Sequence, residues 1–488
     1  MSGIDLIVVG GGPGGSTVST LVAAQGHRVL LLEKETFPRY QIGESLLPST
    51  VHGICRLLGV SEELAEAAFM PKRGGTFRWG TSPEPWTFSF AVSEHFSGPT
   101  STAYQVERMK FDKILLDNAR AKGVEVREQC SVVDVVEEDG RVVGVVYDDA
   151  DGVRHTERSR YVVDASGNKS RIHSRVGGKR HYSEFFKNLA VFGYFEGGKR
   201  LPAPNSGNIL CAAFKSGWFW YIPLTDSLTS VGAVLRHDAV ERVQQGKEKA
   251  LMDLIDECPL IAEYLSDAQR VTSGTYGEVR IRKDYSYCAD TFWRPGMVLV
   301  GDAACFIDPV FSSGVHLATY SALLAARSVN SSLSGKLDET KCFEEFEARY
   351  RKEFSLFHDF LVAFYDMHQD SDSYFWNAKK VTHSTSPALE SFVELVGGGA
   401  SRETGLVDAA SYDGERMAAF KELSELANRP VGQDGTDRDL FESELVESVM
   451  EEGAKIQMHA LGEIADEDAS PMDGGLVPST DGLHWSEP

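Results

Sequence analysis

The sequence has few cysteines, fewer basic than acidic residues, and no long hydrophobic run. Its seven cysteines are scattered over 488 residues and none lies in CxxC spacing, so they neither form a disulfide framework nor suggest a zinc site, and we expect reduced, buried thiols. No apolar run approaches the roughly 18 residues of a membrane helix, and the first predicted strand begins at residue 4. We therefore expect no membrane span, no metal site and a cytoplasmic location.

The formal net charge is −23, from 49 basic and 72 acidic residues. The acidity is concentrated near the C-terminus, where residues 401–488 contain 21 acidic and 6 basic side chains. A chain of this charge is a poor ligand for polyanions, which argues against nucleic acid as a partner. The length exceeds what one hydrophobic core usually organises, so we expect two or three structural units.

The most informative stretch is at the N-terminus. The apolar run 4–9 leads into Gly10-x-Gly12-x-x-Gly15, a helical pattern follows, and a second apolar run at 29–32 ends at Glu33. The glycines permit a tight turn, close approach of a pyrophosphate and close packing of the helix on the strand. The helix N-terminus then faces negative charge, and an acidic residue about 20 positions on can bind a ribose. The pattern predicts a dinucleotide site but leaves NAD and FAD open.

Further elements of a nucleotide sheet follow along the chain. The loop 37–48 lies between two prolines, and the apolar run 161–164 returns to the sheet and is followed by Ala-Ser-Gly. Another buried strand, 297–300, precedes Gly301 and Asp302. The turn 308–314 then opens a helix of small residues, which presents a second helix N-terminus to an anion.

The middle and the C-terminal part have different patterns. Residues 175–290 alternate in short, aromatic-rich β-like runs, which predict an antiparallel sheet over one side of a pocket. Aromatic residues recur every three or four positions over 343–364 and predict a long amphipathic helix, which packs as core or lines a substrate channel. The pattern is also helical at 386–396, 413–427 and 438–460, whereas 465–488 is polar and typical of a disordered acidic tail.

Together these motifs resemble the FAD-binding fold of p-hydroxybenzoate-hydroxylase-like flavoproteins. The resemblance implies an α/β fold in which a discontinuous Rossmann-like FAD-binding domain covers 1–330. Within it an inserted antiparallel β-sheet substrate domain occupies 72–105 and 175–290. A mainly α-helical C-terminal region follows at 331–464.

The resemblance also implies FAD rather than NAD as the ligand. By this resemblance Glu33 holds the adenosine ribose, Arg108 lies near the pyrophosphate, and Asp302 hydrogen-bonds the ribityl chain. The 309–314 turn would lie under the isoalloxazine ring. The residues implied to bind the cofactor are Gly10, Gly12, Pro13, Gly15, Glu33, Lys34, Arg39, Glu44, Ser45, Arg108, Asp302, Pro309 and Gly314.

Two features indicate one branch of this superfamily. Residues 218–223 read W-F-W-Y-I-P and match the W-x-W-x-I-P motif of flavin-dependent halogenases, and Lys72, in a K-x-G-G setting, lies where that family keeps its reactive lysine. In that family reduced FAD and O2 form a hydroperoxide that oxidises chloride to hypochlorous acid. Trp218 and Trp220 would block direct hydroxylation while leaving a passage for the small oxidant. A buried aromatic strand and a solvated surface lysine are the alternatives for these residues.

The chemistry implied by the resemblance assigns two further roles. Ser313 and Gly314 at a helix N-terminus are the candidates for holding the halide. Lys72 would hydrogen-bond hypohalous acid, or form a haloamine if burial lowers its pKa, and so direct the electrophile to an aromatic ring.

The sequence departs from the halogenases of free tryptophan. It lacks their additional glutamate near the lysine and their C-terminal substrate box, and it is more similar to the halogenases that act on phenolic or pyrrolic acyl groups tethered to a carrier protein. We expect a tyrosyl or β-tyrosyl thioester in bacterial natural-product, and thus antibiotic, biosynthesis. No general base for the ring proton is identified.

The electron source is expected to be a separate protein. No second glycine-rich βαβ fingerprint follows residue 40, so a separate NAD(P)H-dependent flavin reductase would supply reduced FAD. Three other functions use the same scaffold: a two-component aromatic hydroxylase, a reductase of isoprenoid double bonds, and a non-catalytic flavoprotein. Trp218, Trp220 and Lys72 favour the halogenase over all three.

Overall fold

The computed structural model describes residues 3–79, 84–93, 96, 98–235, 241–244, 246–366, 387–399, 470–472 and 474–488. Two sheets organise this part of the chain, one around the N-terminal glycine motif and one around the aromatic middle of the sequence. A large hydrophobic core joins the two sheets and most of the helices. A smaller cluster lies between the other face of the second sheet and the two helices within 247–264. The predicted α/β architecture is confirmed.

The first sheet, called here the nucleotide sheet, has a parallel centre. Its strands lie in the order Met297–Leu299, Arg154–Asp164, Ile4–Val9, Val29–Leu32 and Glu125–Arg127, all parallel to their neighbours. Trp293–Arg294 adds an antiparallel edge, and the hairpin Ser131–Glu138 and Arg141–Asp148 pairs with the first half of Arg154–Asp164. In the parallel centre the segments 6–9, 29–32 and 161–163 are buried and apolar, as a parallel sheet covered on both faces requires.

The second sheet, called here the insert sheet, is mixed. Its order is Cys305–Phe306, Arg280–Ala289, Arg180–Glu196, Leu228–Leu235, Gly217–Pro223, Ile209–Phe214, Gly74–Arg78 and Trp86–Ser89, with Gln269–Arg270 beside Arg180–Glu196. The expected antiparallel pairing holds except that Ile209–Phe214 and Gly74–Arg78 run parallel. Met70–Lys72 does not continue into Gly74–Arg78 but pairs separately with Ala103–Gln105. Lys72 therefore ends a short ribbon at the border of the sheet.

Helices surround both sheets. Their bounds are Pro13–Ala23, Cys55–Leu58, Ser61–Glu66, Arg108–Ala121, Lys247–Asp256, Pro259–Tyr264, Ser313–Ser334, Glu339–Asp366 and Ala388–Gly397, and a π-helical turn, Ser49–Ile54, precedes the second. Pro13–Ala23 and Ser313–Ser334 pack against each other, as do Ser313–Ser334 and Glu339–Asp366. The helices Pro13–Ala23 and Ser313–Ser334 are therefore neighbours in the fold although they are far apart in the sequence.

The aromatic helix expected over 343–364 is Glu339–Asp366, and its periodic phenylalanines are core residues: Phe343, Phe346, Phe357 and Phe364 are buried. The helix expected at 386–396 is Ala388–Gly397. The predicted helices at 413–427 and 438–460 lie outside the described residues. The predicted domain boundaries at 330 and 464 remain predictions.

The prediction of a disordered tail over 465–488 is wrong for the residues described there. Val477–Pro478 pairs with Trp485–Ser486, and Leu476 and Trp485 are buried. Trp485 lies against the guanidinium groups of Arg327 and Arg349, each 5.2 Å from the centre of an indole ring, and its Nε1 donates to Ser328 Oγ at 2.9 Å. The polar composition gave no indication of this docking, because few apolar side chains anchor the described part of the segment, among them Leu476, Leu483 and Trp485.

Among the described helices we find none with the length and apolarity that a membrane crossing requires. All seven cysteines are free thiols, and all but Cys288 are buried.

Candidate active site

The glycine turn has the geometry that its spacing predicts. Gly10 has a φ of +101°, and a Cβ on it would lie 2.7 Å from Ala165 O. A Cβ on Gly15 would lie 1.8 Å from Gly10 O, so only glycine lets the helix Pro13–Ala23 approach the strand this closely. A Cβ on Gly12 would meet only Arg39 Nη2, at 3.4 Å. The turn therefore leaves an open backbone surface at a helix N-terminus, with a guanidinium beside it.

Glu33 lies at the end of the second strand and is almost fully buried. Its Oε2 accepts from Gly11 N at 2.6 Å and its Oε1 from Glu35 N at 2.9 Å. These bonds fix the carboxylate beside the glycine turn and leave lone pairs on both oxygens. Its position agrees with the predicted ribose contact, which remains a prediction.

Two predicted arginines are joined by a residue that the sequence did not single out. Arg108 donates to both oxygens of Asp112, at 2.7 and 2.9 Å, and Arg39 Nη1 donates to Asp112 Oδ2 at 3.0 Å. Arg108 Nη1 also donates to Ile42 O at 2.6 Å. Asp112 thus holds both guanidiniums, and Arg108 fixes the loop 37–48.

One continuous cavity connects these residues with the far end of the sheet. Of the predicted cofactor residues, those that line it are Gly10, Gly12, Pro13, Glu33, Lys34, Arg39, Glu44, Ser45, Arg108, Asp302, Pro309 and Gly314. Gly15 supports the turn from behind and does not line the cavity. An elongated cavity with an acid at one end, two arginines and two helix N-termini has the donor set that FAD requires.

The far end of the cavity is formed by the 309–314 turn. Asp308 Oδ1 accepts from Val310 N at 3.1 Å and so caps Pro309–Phe311, and Ser312 adopts a φ of +60° before the helix Ser313–Ser334 begins. Gly314 lines the cavity, whereas Ser313 is buried behind it. The first turn of this helix therefore directs backbone N–H groups toward the cavity at Gly314.

Asp302 borders the cavity among positive charges. Burial raises the pKa of its carboxyl, and the charges of Arg282, Arg108 and Arg180 oppose that rise. Arg282 also lines the cavity, and the sequence analysis missed it. Its strand shows only a charged alternation, which carries no signal for a site.

Trp218 and Trp220 both line the cavity from the insert sheet. Across the sheet Trp220 lies opposite Gly232 on one neighbouring strand and Cys211 on the other, and Cys211 lies opposite Phe77. Directly opposite residues point to the same face of a sheet. A row of side chains therefore leads from the cavity past Trp220 and Cys211.

Each indole N–H is bound through a hydroxyl group. Trp218 Nε1 donates to Tyr365 Oη at 2.6 Å, and Tyr365 Oη donates to Asp308 Oδ2 at 2.8 Å. Trp220 Nε1 donates to Ser230 Oγ at 3.2 Å.

Both hydroxyls lie beside a buried carboxyl. Burial raises the pKa of Asp308 to about 6, and hydrogen bonds from Tyr365 and from the Val310 backbone oppose the rise. Burial raises the pKa of Glu44 to about 7, and the hydroxyls of Ser230 and Tyr194 oppose that rise. The two tryptophans are thus connected through hydroxyl groups to two different buried carboxyls, Asp308 and Glu44.

Lys72 does not line the cavity, although it is close to the row of side chains that begins there. Its side chain is 3 % exposed, its Nζ donates to Leu46 O at 2.9 Å, and it lies 5.4 Å from the centre of the Phe90 ring. Burial lowers the pKa of Lys72 to about 7, and the nearby Cys211 thiol opposes that shift. The alternative of a solvated surface lysine is therefore excluded.

Beyond Lys72 and the 309–314 turn the surroundings are aromatic. Phe311 packs at centroid distances of 4.8–6.2 Å against Phe77, Phe360, Phe364 and Phe392. Ala388–Gly397 brings Phe392 into this cluster from the C-terminal region, where it also contacts Trp86 and Phe88. Of these residues, the periodic aromatic pattern over 343–364 included Phe364, as core or channel lining, and the sequence did not place the cluster beside the site.

The sequence matches the family described as tryptophan halogenase over residues 5–99 and 92–424. It is 32 % identical over 443 residues to a tryptophan 2-halogenase of Chondromyces crocatus, covering 90 % of this chain and 82 % of that protein. Among solved structures, the myxobacterial chondrochloren halogenase CndH, a variant of FAD-dependent halogenases, is 51 % identical over all of both chains with a TM-score of 0.76. The flavin-dependent brominase Bmp2 is 27 % identical over 86 % of this chain and 98 % of its own, with a TM-score of 0.71.

Proposed function

The chain belongs to the tryptophan halogenase family and is a flavin-dependent halogenase, and on that premise we propose that it chlorinates an aromatic acyl group tethered to a carrier protein. The observation that carries the proposal is the order of residues across the insert sheet. Trp218 and Trp220 border the FAD cavity, and Lys72 lies outside it, fully buried and near Cys211 on the strand next to Trp220.

The cofactor contacts follow from the lining of the cavity. Glu33 would hold the adenosine ribose, Arg39 and Arg108 the pyrophosphate, and Asp302 the ribityl chain. Gly314 and the backbone of Ser313 would hold chloride at the N-terminus of Ser313–Ser334. When bound, reduced FAD with O2 supplies the oxidant that converts chloride to hypochlorous acid.

The protein then separates the oxidant from the acceptor. Two bulky indoles between the cavity and Lys72 exclude an aromatic acceptor from the flavin while hypochlorous acid, a small molecule, passes. The uncharged Lys72 amine attacks the chlorine atom, which gives a chloramine and water. The acceptor ring takes the chlorine, the amine recovers a proton, and the ring loses one, so the lysine is regenerated.

Burial gives Lys72 the protonation state that this step needs. With a pKa of about 7, about half of the amines are uncharged at neutral pH, whereas a solvated lysine with a pKa near 10.4 is almost entirely protonated. The hydrogen bond to Leu46 O orients the nitrogen without consuming its lone pair.

The aromatic surroundings support an acyl group rather than a free amino acid. In the described part of the chain, the ring neighbours of Lys72 and Phe311 are phenylalanines, which offer no counter-charge to an ammonium or a carboxylate. A phenolic or pyrrolic thioester, such as a tyrosyl or β-tyrosyl group, lacks the carboxylate charge of the free amino acid, because the carboxyl group is bound as a neutral thioester. The identity to the chondrochloren halogenase also exceeds that to the tryptophan 2-halogenase.

A separate NAD(P)H-dependent flavin reductase is the proposed source of electrons. The experiment supplies reduced FAD through such a reductase, with O2 and chloride, and compares a carrier-tethered tyrosyl group with free tyrosine and free tryptophan. We expect the tethered acceptor alone to gain one chlorine in place of one hydrogen. Addition of one oxygen would indicate a hydroxylase, and chlorination of free tryptophan at an equal rate would contradict the carrier requirement.

A further inference from the structure

Tyr365 connects two parts of the site that are far apart in the sequence. It lies in the last turn of Glu339–Asp366, where its hydroxyl accepts from Trp218 Nε1 at 2.6 Å and donates to Asp308 Oδ2 at 2.8 Å. Trp218 forms the wall of the FAD cavity, and Asp308 begins the 309–314 turn. One hydroxyl thus joins the wall to the turn proposed to hold the halide.

Asp308, which accepts the Tyr365 hydroxyl, is itself held in place by other hydrogen bonds. It is fully buried, and besides Tyr365 it accepts from Asn188 Nδ2 at 3.1 Å and from Val310 N at 3.1 Å. All three groups donate, so the carboxylate acts only as an acceptor and the direction of the Tyr365 O–H bond is determined. The indole N–H has a defined acceptor for the same reason.

The ring of Tyr365 is held independently of its hydroxyl. It makes edge contacts with Trp79 at 5.4 Å, Phe186 at 5.3 Å and Phe185 at 6.1 Å between ring centroids. A phenylalanine at this position would keep the ring and remove the hydroxyl that makes the bridge. The hydroxyl can therefore be tested without disturbing the packing.

We propose that Tyr365 is a positioning residue for halogenation, which fixes the Trp218 indole against Asp308 so that oxidised halogen passes to Lys72 instead of escaping to water. This inference rests on the proposed function. Without the Tyr365 hydroxyl, the buried N–H of Trp218 loses its acceptor. The indole regains a hydrogen bond most easily if it rotates or if water enters beside it. Either change opens the wall next to the halide turn, while Trp220 stays bound to Ser230.

Loss of the bridge should lower the coupling, which is the amount of chlorinated acceptor formed per O2 consumed. It should leave FAD binding unchanged. We expect Tyr365→Phe to bind FAD and consume O2 as the wild type does, but to form about five- to tenfold less chlorinated acceptor per O2, which corresponds to the loss of one hydrogen bond. The missing chlorine should appear in a soluble hypochlorous acid trap. Tyr182→Phe is the matched control, because it removes a tyrosine hydroxyl from an exposed position of the insert sheet.

The experiment is a double-mutant cycle with Trp218→Phe, measured as product and trapped chlorine per O2. In the Trp218→Phe background no indole N–H remains, so Tyr365→Phe should have no further effect on coupling. Wild-type coupling in Tyr365→Phe, or effects of the two substitutions that simply add, would overturn the positioning role. A wild-type enzyme that chlorinates no acceptor would instead refute the proposed function, so the two failures are distinguishable.

Discussion

Gly232 lies between Phe192 and Trp220 on the face of the insert sheet that borders the FAD cavity. A Cβ at this position would come within 2.3 Å of the Trp220 ring and 2.5 Å of Phe192 Cβ. The Trp220 indole therefore occupies the space that a side chain at 232 would take. A position on a neighbouring strand thus determines how far one of the two tryptophans projects into the cavity.

Replacing Gly232 with alanine should push Trp220 toward the cofactor. Overpacking of a buried site costs about 1–3 kcal/mol, so we expect FAD affinity to fall about tenfold. Equilibrium titration of FAD fluorescence measures this change. The double variant Gly232→Ala/Trp220→Phe should recover part of the affinity, because the smaller ring vacates the contact, and unchanged affinity in Gly232→Ala would contradict this description of the wall.

Lys72 should make halogenation depend on pH. Because burial lowers its pKa to about 7, the uncharged fraction of the amine rises about fivefold between pH 6 and pH 7. If the uncharged amine accepts chlorine, the single-turnover rate of acceptor chlorination should rise by that factor over this interval. Rapid-quench measurements at saturating reduced FAD test this, and a rate that falls over the same interval would contradict the chloramine route.

At the scale of elements, the docked C-terminal segment joins the end of the chain to the helix that begins at the 309–314 turn. Arg327 Nε donates to Gly482 O at 2.7 Å, and Asn330 Nδ2 donates to Leu483 O at 3.0 Å. Both arise from Ser313–Ser334, and Trp485 inserts beside them. The segment therefore stabilises the helix whose N-terminus faces the cavity.

Trp485→Ala should destabilise the protein measurably. Removal of a buried tryptophan typically costs about 3–5 kcal/mol, so calorimetry should show a clear decrease in Tm. Trp485→Phe keeps an aromatic ring beside the two guanidiniums but loses the bond to Ser328 and part of the buried ring, so its Tm should lie between those of the wild type and the alanine variant. An alanine variant with the wild-type Tm would show that the segment does not contribute to the fold.

Elements defined by local patterns were predicted from the sequence, whereas contacts between distant elements were not. The glycine turn and the Trp218–Trp220 motif are defined by spacings of a few residues. The residues next to them in the sequence are therefore enough to identify them. Asp112, which joins Arg39 and Arg108, has no signal of its own, since only folding brings the loop 37–48 onto Arg108–Ala121. Tyr365 is similar: it is 147 positions from Trp218, and it lies one residue beyond the periodic aromatic pattern over 343–364.

At the scale of the whole molecule, the two sheets have different roles. In the proposed function the nucleotide sheet and the two helix N-termini and arginines beside it would hold the cofactor, and the insert sheet would supply the wall and the row of side chains toward Lys72. The C-terminal helices close the far side with phenylalanines and supply Tyr365. In the proposed function this arrangement separates the oxidation of chloride from its transfer to the acceptor.

The most direct test of that separation is Lys72→Met, assayed with reduced FAD, O2, chloride, a carrier-tethered tyrosyl acceptor and a hypochlorous acid trap. Lys187→Met is the control, because Lys187 is exposed on the insert sheet. We predict that Lys72→Met keeps wild-type FAD binding and chloride oxidation, so that the chlorine appears in the trap, but that chlorination of the acceptor is lost. Chlorination of the acceptor by Lys72→Met at the wild-type rate would contradict the role of Lys72.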